Sequence, residues 1–320
     1  MQSEAENRSA VPSPAMPAPG ADLAGRDFSG LDLSGANLSG ANLQKARFFQ
    51  TDLRGVDLSE ADLRGAEFAG ADLRDAILDG ARAMRAGFGG ANLSGASLFG
   101  ADLREASLTQ ACLNGANLGC ADLRGARLRE ASLKKAHFDE ADMRQVDMSL
   151  SDVSKASFQN ADLRQARLRR VKGFRNADWL GVDIRDINFA GAYMMRREII
   201  DQNYIREFRN HSKVTRLLYW PWWLTCDCGR SMLRWCFWIG VQVLFFAWLY
   251  TLTGVDYGRY PTDLSPLYYS VVTLTTLGYG DVVPQTPAAQ LVAMIEVTIG
   301  YVMLGGLLSI FSNKLARRGD

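Results

Sequence analysis

The residues best suited to chemistry lie near the C-terminus, in the run TTLGYGD over residues 275–281. Gly278 and Gly280 can adopt positive φ, which lets the carbonyl groups of neighbouring residues turn toward one axis. Such carbonyls, with the Thr276 hydroxyl at the inner end, form a ladder of oxygen ligands for a dehydrated cation. We predict that five consecutive residues form this cation-binding segment: Thr276, Leu277, Gly278, Tyr279 and Gly280.

Two apolar segments flank this run. Residues 235–253 carry no charge, and residues 288–311 carry only Glu296. At about 1.5 Å per residue, each helix is long enough to cross a bilayer core of roughly 30 Å. Residues 264–277 are apolar but too short to cross, so we predict a re-entrant segment with a helix over residues 266–275. Pro266 suits the first turn of that helix, and its negative C-terminal end would face the cavity.

Residues 235–311 resemble the pore domain of the potassium-channel family, because TTLGYGD follows a re-entrant helix between two spans. The resemblance implies that residues 276–280 are a selectivity filter whose oxygens bind K⁺, the permeant ion. One chain supplies a quarter of each oxygen ring, so the resemblance also implies a homotetramer around the pore. No organic cofactor is expected.

The same resemblance assigns residues that support the filter. Tyr268 and Tyr269 stand where the family carries an aromatic pair on the pore helix, and Asp281 stands where an acid braces the outer filter. Thr275, directly before the filter, is assigned to this support as well. Val272 occupies the position where some members place a buried glutamate, so we expect that carboxylate pair to be absent.

Two residues of the second span each have two interpretations. Gly300 lies 20 residues beyond Gly280, the spacing of a hinge glycine in related inner helices, but a close helix contact explains it equally well. Gly305 and Gly306 favour close packing. Glu296 is a charge inside a span and therefore a functional candidate. We favour a partner behind the filter over a pore-lining position for Glu296.

Basic residues flank the two spans on one side of the membrane. They are Arg216, Arg230 and Arg234 before the first span, and Lys314, Arg317 and Arg318 after the second. The loop between the spans contains three aspartates and one arginine. The positive-inside rule then places both termini in the cytoplasm. We expect a multi-pass protein of the bacterial inner membrane, surrounded by membrane lipid.

A repeat with a period of five fills the first half of the chain. Every fifth position from residue 23 to residue 168 gives 30 sites, of which 29 are Leu, Phe, Met, Val or Ile and one is Ala83. An α-helix would rotate each such side chain by roughly 140° from the last, and a flat strand would alternate their faces. The period therefore predicts a chain that turns once per repeat.

This pattern, with the consensus A-[DN]-L-x-x, resembles the pentapeptide-repeat family. The resemblance implies a right-handed quadrilateral β-helix over residues 21–192, with the central residue of each repeat, such as Leu33 or Phe68, in the core. Some eight coils at about 4.8 Å per coil would make a rod about 40 Å long. The phase breaks at Gly173 and resumes at Trp179, which predicts a bulge or loop near residues 172–177.

Charge limits the partners of this rod. The whole chain has 36 Lys+Arg and 35 Asp+Glu, and residues 21–191 contain 24 Asp+Glu against 23 Lys+Arg. A DNA mimic needs a strong negative field and a nucleic-acid-binding protein needs a positive one, so no nucleic-acid partner is expected. We interpret the rod as a cytoplasmic scaffold or regulatory module on which a cytoplasmic protein could dock.

The remaining segments complete the domain prediction. Residues 1–20 are predicted to be a disordered tail, residues 193–230 a basic amphipathic and interfacial connector, residues 231–313 the pore domain and residues 314–320 a cytoplasmic tail. Cys226 and Cys228 are interpreted as free membrane-proximal thiols, because two thiols alone do not make a metal site. No catalytic residues are predicted, since the sequence shows neither a nucleophile–histidine set nor a phosphate loop.

The sequence thus predicts a β-helix fused to an all-α membrane pore domain, acting as a tetrameric K⁺-selective channel. A non-selective cation channel is the first alternative, and the intact residues 276–280 argue against it. The second alternative is a membrane-anchored interaction protein whose pore domain serves only to oligomerise the chain. The spans lack repeated arginines, so strong intrinsic voltage dependence is not expected.

Overall fold

The repeat region forms a stack of coils in which one residue of each repeat forms a bridge with the residue 20 positions later. The computed structural model describes residues 18–259 and 261–316, with side chains described to residue 312. Parallel bridges join Asp22 to Asn42 and Asn42 to Asp62, and they continue along the rod. Asp62 donates its N–H to the carbonyl of Ala41 at 2.9 Å. Twenty residues are four repeats, so the predicted quadrilateral β-helix is confirmed.

Left-handed residues form the corners of each coil. The fifth residue of a repeat has positive φ, as at Gly25 (67°), Lys45 (56°) and Glu105 (58°). Glycine adopts this conformation without a steric penalty, whereas other L-residues lose roughly 1–2 kcal/mol. These corners provide the turn per repeat that the period of five requires.

The interior of the rod is built from stacked identical positions. The central Leu or Phe and the small residue two before it are both buried, as at Leu63 and Ala61. Two aromatic stacks run along the interior with ring centroids 4.4–5.1 Å apart. They comprise Phe28, Phe48, Phe68 and Phe88 in one stack, and Phe138, Phe158 and Trp179 in the other. Aromatic pairs of this kind add about 0.5–1.5 kcal/mol each beyond the area that they bury.

The break in phase lies at a short 3₁₀ helix, Phe174–Asn176, which follows Gly173. The pairing distance becomes 21 residues here, with Ser157 opposite Asp178. Gly173 has a φ of 72° and packs against the backbone of Ser154, since a Cβ would lie 2.6 Å from the Ser154 nitrogen. A residue with a side chain would clash there, so glycine is required where the extra residue enters the coil.

Helix α1 (Tyr193–His211) covers the last coil. Its residues Met195 and Ile199 are buried in the rod interior. Gln202 accepts a hydrogen bond from the N–H of Trp179 and donates to the carbonyl of Ala177, both at 3.0 Å. Asn203 donates to the carbonyl of Trp179 at 3.0 Å. The two side-chain amides therefore pair with backbone groups that the next coil would otherwise bind.

The chain divides at residue 204 into two compact units. The second unit contains the following elements: α2 (Lys213–Cys226), α3 (Met232–Leu252), β1 (Val255–Asp256), α4 (Ser265–Leu274), β2 (Val283–Pro284) and α5 (Pro287–Ala316). β1 and β2 pair antiparallel. α3 and α5 contain the two segments long and apolar enough to cross a membrane, Met232–Leu252 and Pro287–Ser312. This helical region matches the expected class of a two-span pore domain.

Several sequence-based predictions fall outside the described residues. They are the disordered tail up to residue 17, the side chain of Lys314, and residues Arg317 and Arg318. The connector over residues 193–230 is mostly helical, because α1 and α2 both lie within it. Pro221 lies inside α2.

Candidate functional site

The backbone of residues 276–280 alternates in handedness. Thr276, Gly278 and Gly280 have φ angles of 57°, 51° and 78°, whereas Leu277 and Tyr279 are not left-handed. An ordinary strand alternates its carbonyls between two sides. Reversing every second residue turns the carbonyls toward the same side. The segment can therefore present consecutive oxygens to one axis.

Thr276 adopts a conformation that a β-branched residue rarely takes. The backbone on both sides of it is fixed by the end of α4, where the N–H of Thr276 donates to the carbonyl of Thr273 and the N–H of Leu277 donates to the carbonyl of Val272, both at 3.1 Å. Thr275 directs its hydroxyl back to the carbonyl of Val271 at 2.7 Å. Residues 276–280 are exposed in the single chain, so their oxygens are free to meet a ligand.

Asp281 and Tyr268 lie together outside this segment. The Tyr268 hydroxyl donates a hydrogen bond of 2.7 Å to Oδ2 of Asp281. The contact spans 13 residues and joins α4 to the end of the run. Tyr269 has a different position, because its ring packs edge-on against Tyr250 with centroids 4.6 Å apart. Only Tyr268 of the expected aromatic pair contacts the acid.

Glu296 of α5 is fully buried between three helices. Its carboxylate accepts a hydrogen bond from the Tyr250 hydroxyl of α3 at 2.6 Å and lies 2.5 Å from the Ser270 hydroxyl of α4. Buried charges need such partners to offset the loss of water. Val272 of α4 is buried and apolar, so the carboxyl group beside this helix comes from α5.

Glu296 stands out in the sequence as a charge inside a span, whereas its partners Tyr250 and Ser270 do not. Tyr250 lies in an apolar span with several other aromatic residues, and nothing in its neighbours distinguishes it. Ser270 is a small hydroxyl residue inside a short helix, which is unremarkable by itself. The two residues are recognised as partners of Glu296 only when the positions of the three helices are known.

Gly300 packs against the end of α4. A Cβ at this position would lie 2.7 Å from the carbonyl oxygen of Leu274, whereas a Cβ at Gly305 meets nothing within 4 Å. Gly306 faces the ring of Trp235, whose indole N–H donates to the carbonyl of Met303 at 2.6 Å. α5 continues through all three glycines. The close approach explains the absence of a side chain at Gly300, and its hinge role stays a prediction.

The two cysteines after α2 do not have the environment of reactive thiols. Burial raises the pKa of both, that of Cys228 to about 11. Among the described residues, no group of three or more His, Cys, Asp or Glu side chains could hold a metal ion.

Two family models match separate parts of the chain. Residues 238–317 match the model described as an ion channel. Eight copies of pentapeptide repeats match within residues 20–170. The chain is a fusion of pentapeptide repeats and an ion-channel domain. The ion-channel family and the pentapeptide-repeat family are not families of enzymes.

Relatives of the channel part of the fusion are potassium channels. Two-pore potassium channel 1 of Arabidopsis thaliana is 44% identical over 54 residues, which are 17% of this chain and 15% of that protein. The calcium-gated potassium channel TvoK of Thermoplasma volcanium is 33% identical over 86 residues, covering 25% of each protein. The fusion thus matches a quarter or less of the length of these relatives.

A solved structure resembles the repeat part of the fusion. HetL of Nostoc, a pentapeptide repeat protein involved in heterocyst differentiation regulation, is 30% identical, with a TM-score of 0.33. The match covers 56% of this chain and 92% of HetL.

Proposed function

We propose that the fusion is a K⁺-selective channel whose filter consists of residues 276–280. The alternating backbone of Thr276, Gly278 and Gly280 carries this proposal, because it can turn successive carbonyls to one side. Rings of such carbonyls replace the hydration shell of K⁺. The potassium channels among its relatives support the choice of ion.

Permeation follows from this arrangement of oxygens. A K⁺ ion loses its water to the carbonyls of residues 276–279, with the Thr276 hydroxyl at the innermost site. Several sites in series hold ions in single file, so that an entering ion displaces the next. Asp281 and Tyr268 hold the outer end of the filter, and the buried Glu296 holds the helix behind it.

We propose a homotetramer, since one chain lines only part of the pore. In the single chain, only 17% of the first span and 11% of the second is buried. Large apolar side chains such as Phe237, Leu244 and Met294 are exposed. Lipid and neighbouring subunits would cover these surfaces in the assembled channel.

The proposed topology places both termini and the rod in the cytoplasm of a bacterial cell. Arg216 and Arg230 precede the first span and Arg234 lies in the first turn of its helix, as the positive-inside rule requires of a cytoplasmic side. The proposed domains are the rod over residues 21–192, the connector over 193–230 and the pore over 231–313. The rod serves as a scaffold or regulatory module for the pore.

Flux through liposomes tests the channel proposal. Purified protein should carry K⁺ at least tenfold faster than Na⁺, and Gly278→Ala should abolish flux because its φ of 51° disfavours a side chain. Gly240→Ala is the matched control, since Gly240 lies in α3 and a Cβ there meets nothing within 4 Å. Equal K⁺ and Na⁺ permeability, or full flux by Gly278→Ala, would refute the proposal.

A further inference from the structure

Most arginines of the rod are neutralised by ion pairs. On one face they form a ladder in which each arginine binds an aspartate of its own coil, and all but the last, Arg185, also approach the aspartate of the next coil. Arg144, for example, lies 2.6 Å from Asp142 and 3.6 Å from Asp162. The ladder contains Asp102, Arg104, Asp122, Arg124, Asp142, Arg144, Asp162, Arg164, Asp183 and Arg185. This face has little charge to offer a ligand.

The adjoining face is different. Five exposed arginines, here called the arginine cluster, have no ion pair within 4 Å among the described residues. They are Arg127, Arg129, Arg167, Arg169 and Arg170. Bridges from Arg127 to Asp147 and from Asp147 to Arg167 show that the arginines lie on one face of two coils, with the coil of Asp147 between them.

A cleft of about 940 Å³ lies within this cluster. Its charged lining consists of Arg129, Arg167, Arg169 and Arg170 with the carboxylates of Asp147 and Asp186. Asp147 is already engaged, because its Oδ1 accepts a hydrogen bond of 3.0 Å from the N–H of Ser149. Arg127 and Arg167 line an adjoining cleft, whose other charged residues are Arg85 and the carboxylates of Glu67, Glu105 and Asp147. In the cleft of about 940 Å³, four arginines therefore face two carboxylates, and the guanidinium groups there remain available.

We propose that the arginine cluster binds a ligand with two or more phosphate groups. Guanidinium groups bind phosphate oxygens in bidentate fashion. Two coils of about 4.8 Å each separate Arg127 from Arg167, so these arginines lie about 10 Å apart along the rod, which suits several phosphates better than one. The phosphates belong to a soluble metabolite or to a lipid headgroup. This inference names a ligand class for the regulatory role of the rod proposed above.

The test measures binding to the full-length protein in phosphatidylcholine nanodiscs, without ion flux. The probes are sodium pyrophosphate for a soluble ligand and dihexanoyl phosphatidylinositol 4,5-bisphosphate, whose headgroup carries several phosphates, for a lipid; both are titrated by calorimetry. We expect a Kd below 1 mM for at least one probe. Arg167→Ala with Arg169→Ala should weaken this binding at least tenfold, and the corresponding double lysine variant should weaken it less.

The control removes the same charge from another face. Lys135 and Lys155 are exposed, have no ion pair among the described residues and also lie on the rod. Lys135→Ala with Lys155→Ala should change the Kd less than twofold. The tighter probe identifies the source of the phosphates. The site would be overturned if neither probe bound, or if the double alanine variant at Arg167 and Arg169 and the one at Lys135 and Lys155 weakened binding equally. Normal K⁺ flux in the same protein would leave the channel proposal standing.

Discussion

The hydroxyl of Tyr250 donates a 2.6 Å hydrogen bond to the buried carboxylate of Glu296 and thereby joins α3 to α5. Hydrogen bonds to charged groups contribute about 1.5–3 kcal/mol, and their loss leaves a buried acceptor short of a partner. We expect Tyr250→Phe to lower the free energy of unfolding of the pore unit by about that amount. Thermal unfolding in detergent measures this change.

Tyr204→Phe is the control for this substitution, since Tyr204 is exposed on α1. It should leave the melting temperature within about 1 °C of the unmodified protein, because exposed substitutions cost little. If Tyr250→Phe and Tyr204→Phe melted alike, the contact with Glu296 would not stabilise the helices.

Tyr268→Phe removes the donor to Asp281 at the outer end of the proposed filter. The filter should then lose its conducting shape more easily, and the slow decay of current should accelerate by about 3- to 30-fold, equivalent to a contact of 0.7–2 kcal/mol. Patch-clamp recording at constant voltage measures the decay. K⁺ selectivity should persist, because the carbonyls are unchanged. An unaltered decay would show that Asp281 needs no brace from α4.

Gly300→Ala separates the two interpretations of Gly300. A Cβ 2.7 Å from the Leu274 oxygen must displace α5 or α4, so we expect a loss of about 1–3 kcal/mol in stability. Gly305→Ala, with open space around its Cβ, should be neutral or stabilising by up to about 1 kcal/mol. A pure hinge would instead show an altered single-channel open probability with unchanged melting.

The ladder on the rod predicts a dependence on pH. A hydrogen bond from Arg104 holds the pKa of Asp102 below its usual value, and a hydrogen bond from Arg164 does the same for the pKa of Asp162. The contribution of these two carboxylates to the stability of the rod is therefore complete above their pKa in the unfolded chain, which is about 4. This contribution is lost as the pH falls through their lower pKa in the folded chain. The melting temperature of the rod should be steady from pH 7 to pH 5 and decline below about pH 4.

Arg164→Ala should flatten this decline, because Asp162 then titrates more as it does in the unfolded chain. Calorimetry of the full chain measures the melting of the rod. The transition of the rod is identified as the one that moves to lower temperature in Leu118→Ala, because Leu118 is fully buried in the rod. Arg26→Ala is the control, because Arg26 has no ion pair among the residues the structure describes. A decline of equal slope in Arg164→Ala would contradict the prediction.

The fold of the rod could be predicted because its cause is local and repeated. Every fifth residue needs the same interior, and the phase break at Gly173 is visible in the sequence. The ladder could also have been predicted, by aligning residues 20 apart, since Asp122, Arg124, Asp142 and Arg144 then fall into two columns. The positive φ expected at Gly278 and Gly280 is present in the structure.

Contacts between distant segments could not be predicted in the same way. The partners of Glu296 come from 46 and 26 residues away, and no local pattern encodes those distances. The amides of Gln202 and Asn203 looked like ordinary polar residues of a connector, because their backbone partners lie more than 20 residues earlier. The positive φ of Thr276 runs against the preference of its own side chain, so only the surrounding structure explains it.

The pairing of residues 20 apart has a consequence for how such a chain can change in evolution. An inserted block of 20 residues adds one coil and leaves every face aligned. An inserted block of five also keeps each central Leu or Phe inside, but it rotates all later coils by a quarter turn. If the block were inserted before residue 127, the arginine cluster would line up with a different face of the earlier coils. A duplication of one repeat can thus reorient a surface while the interior stays intact.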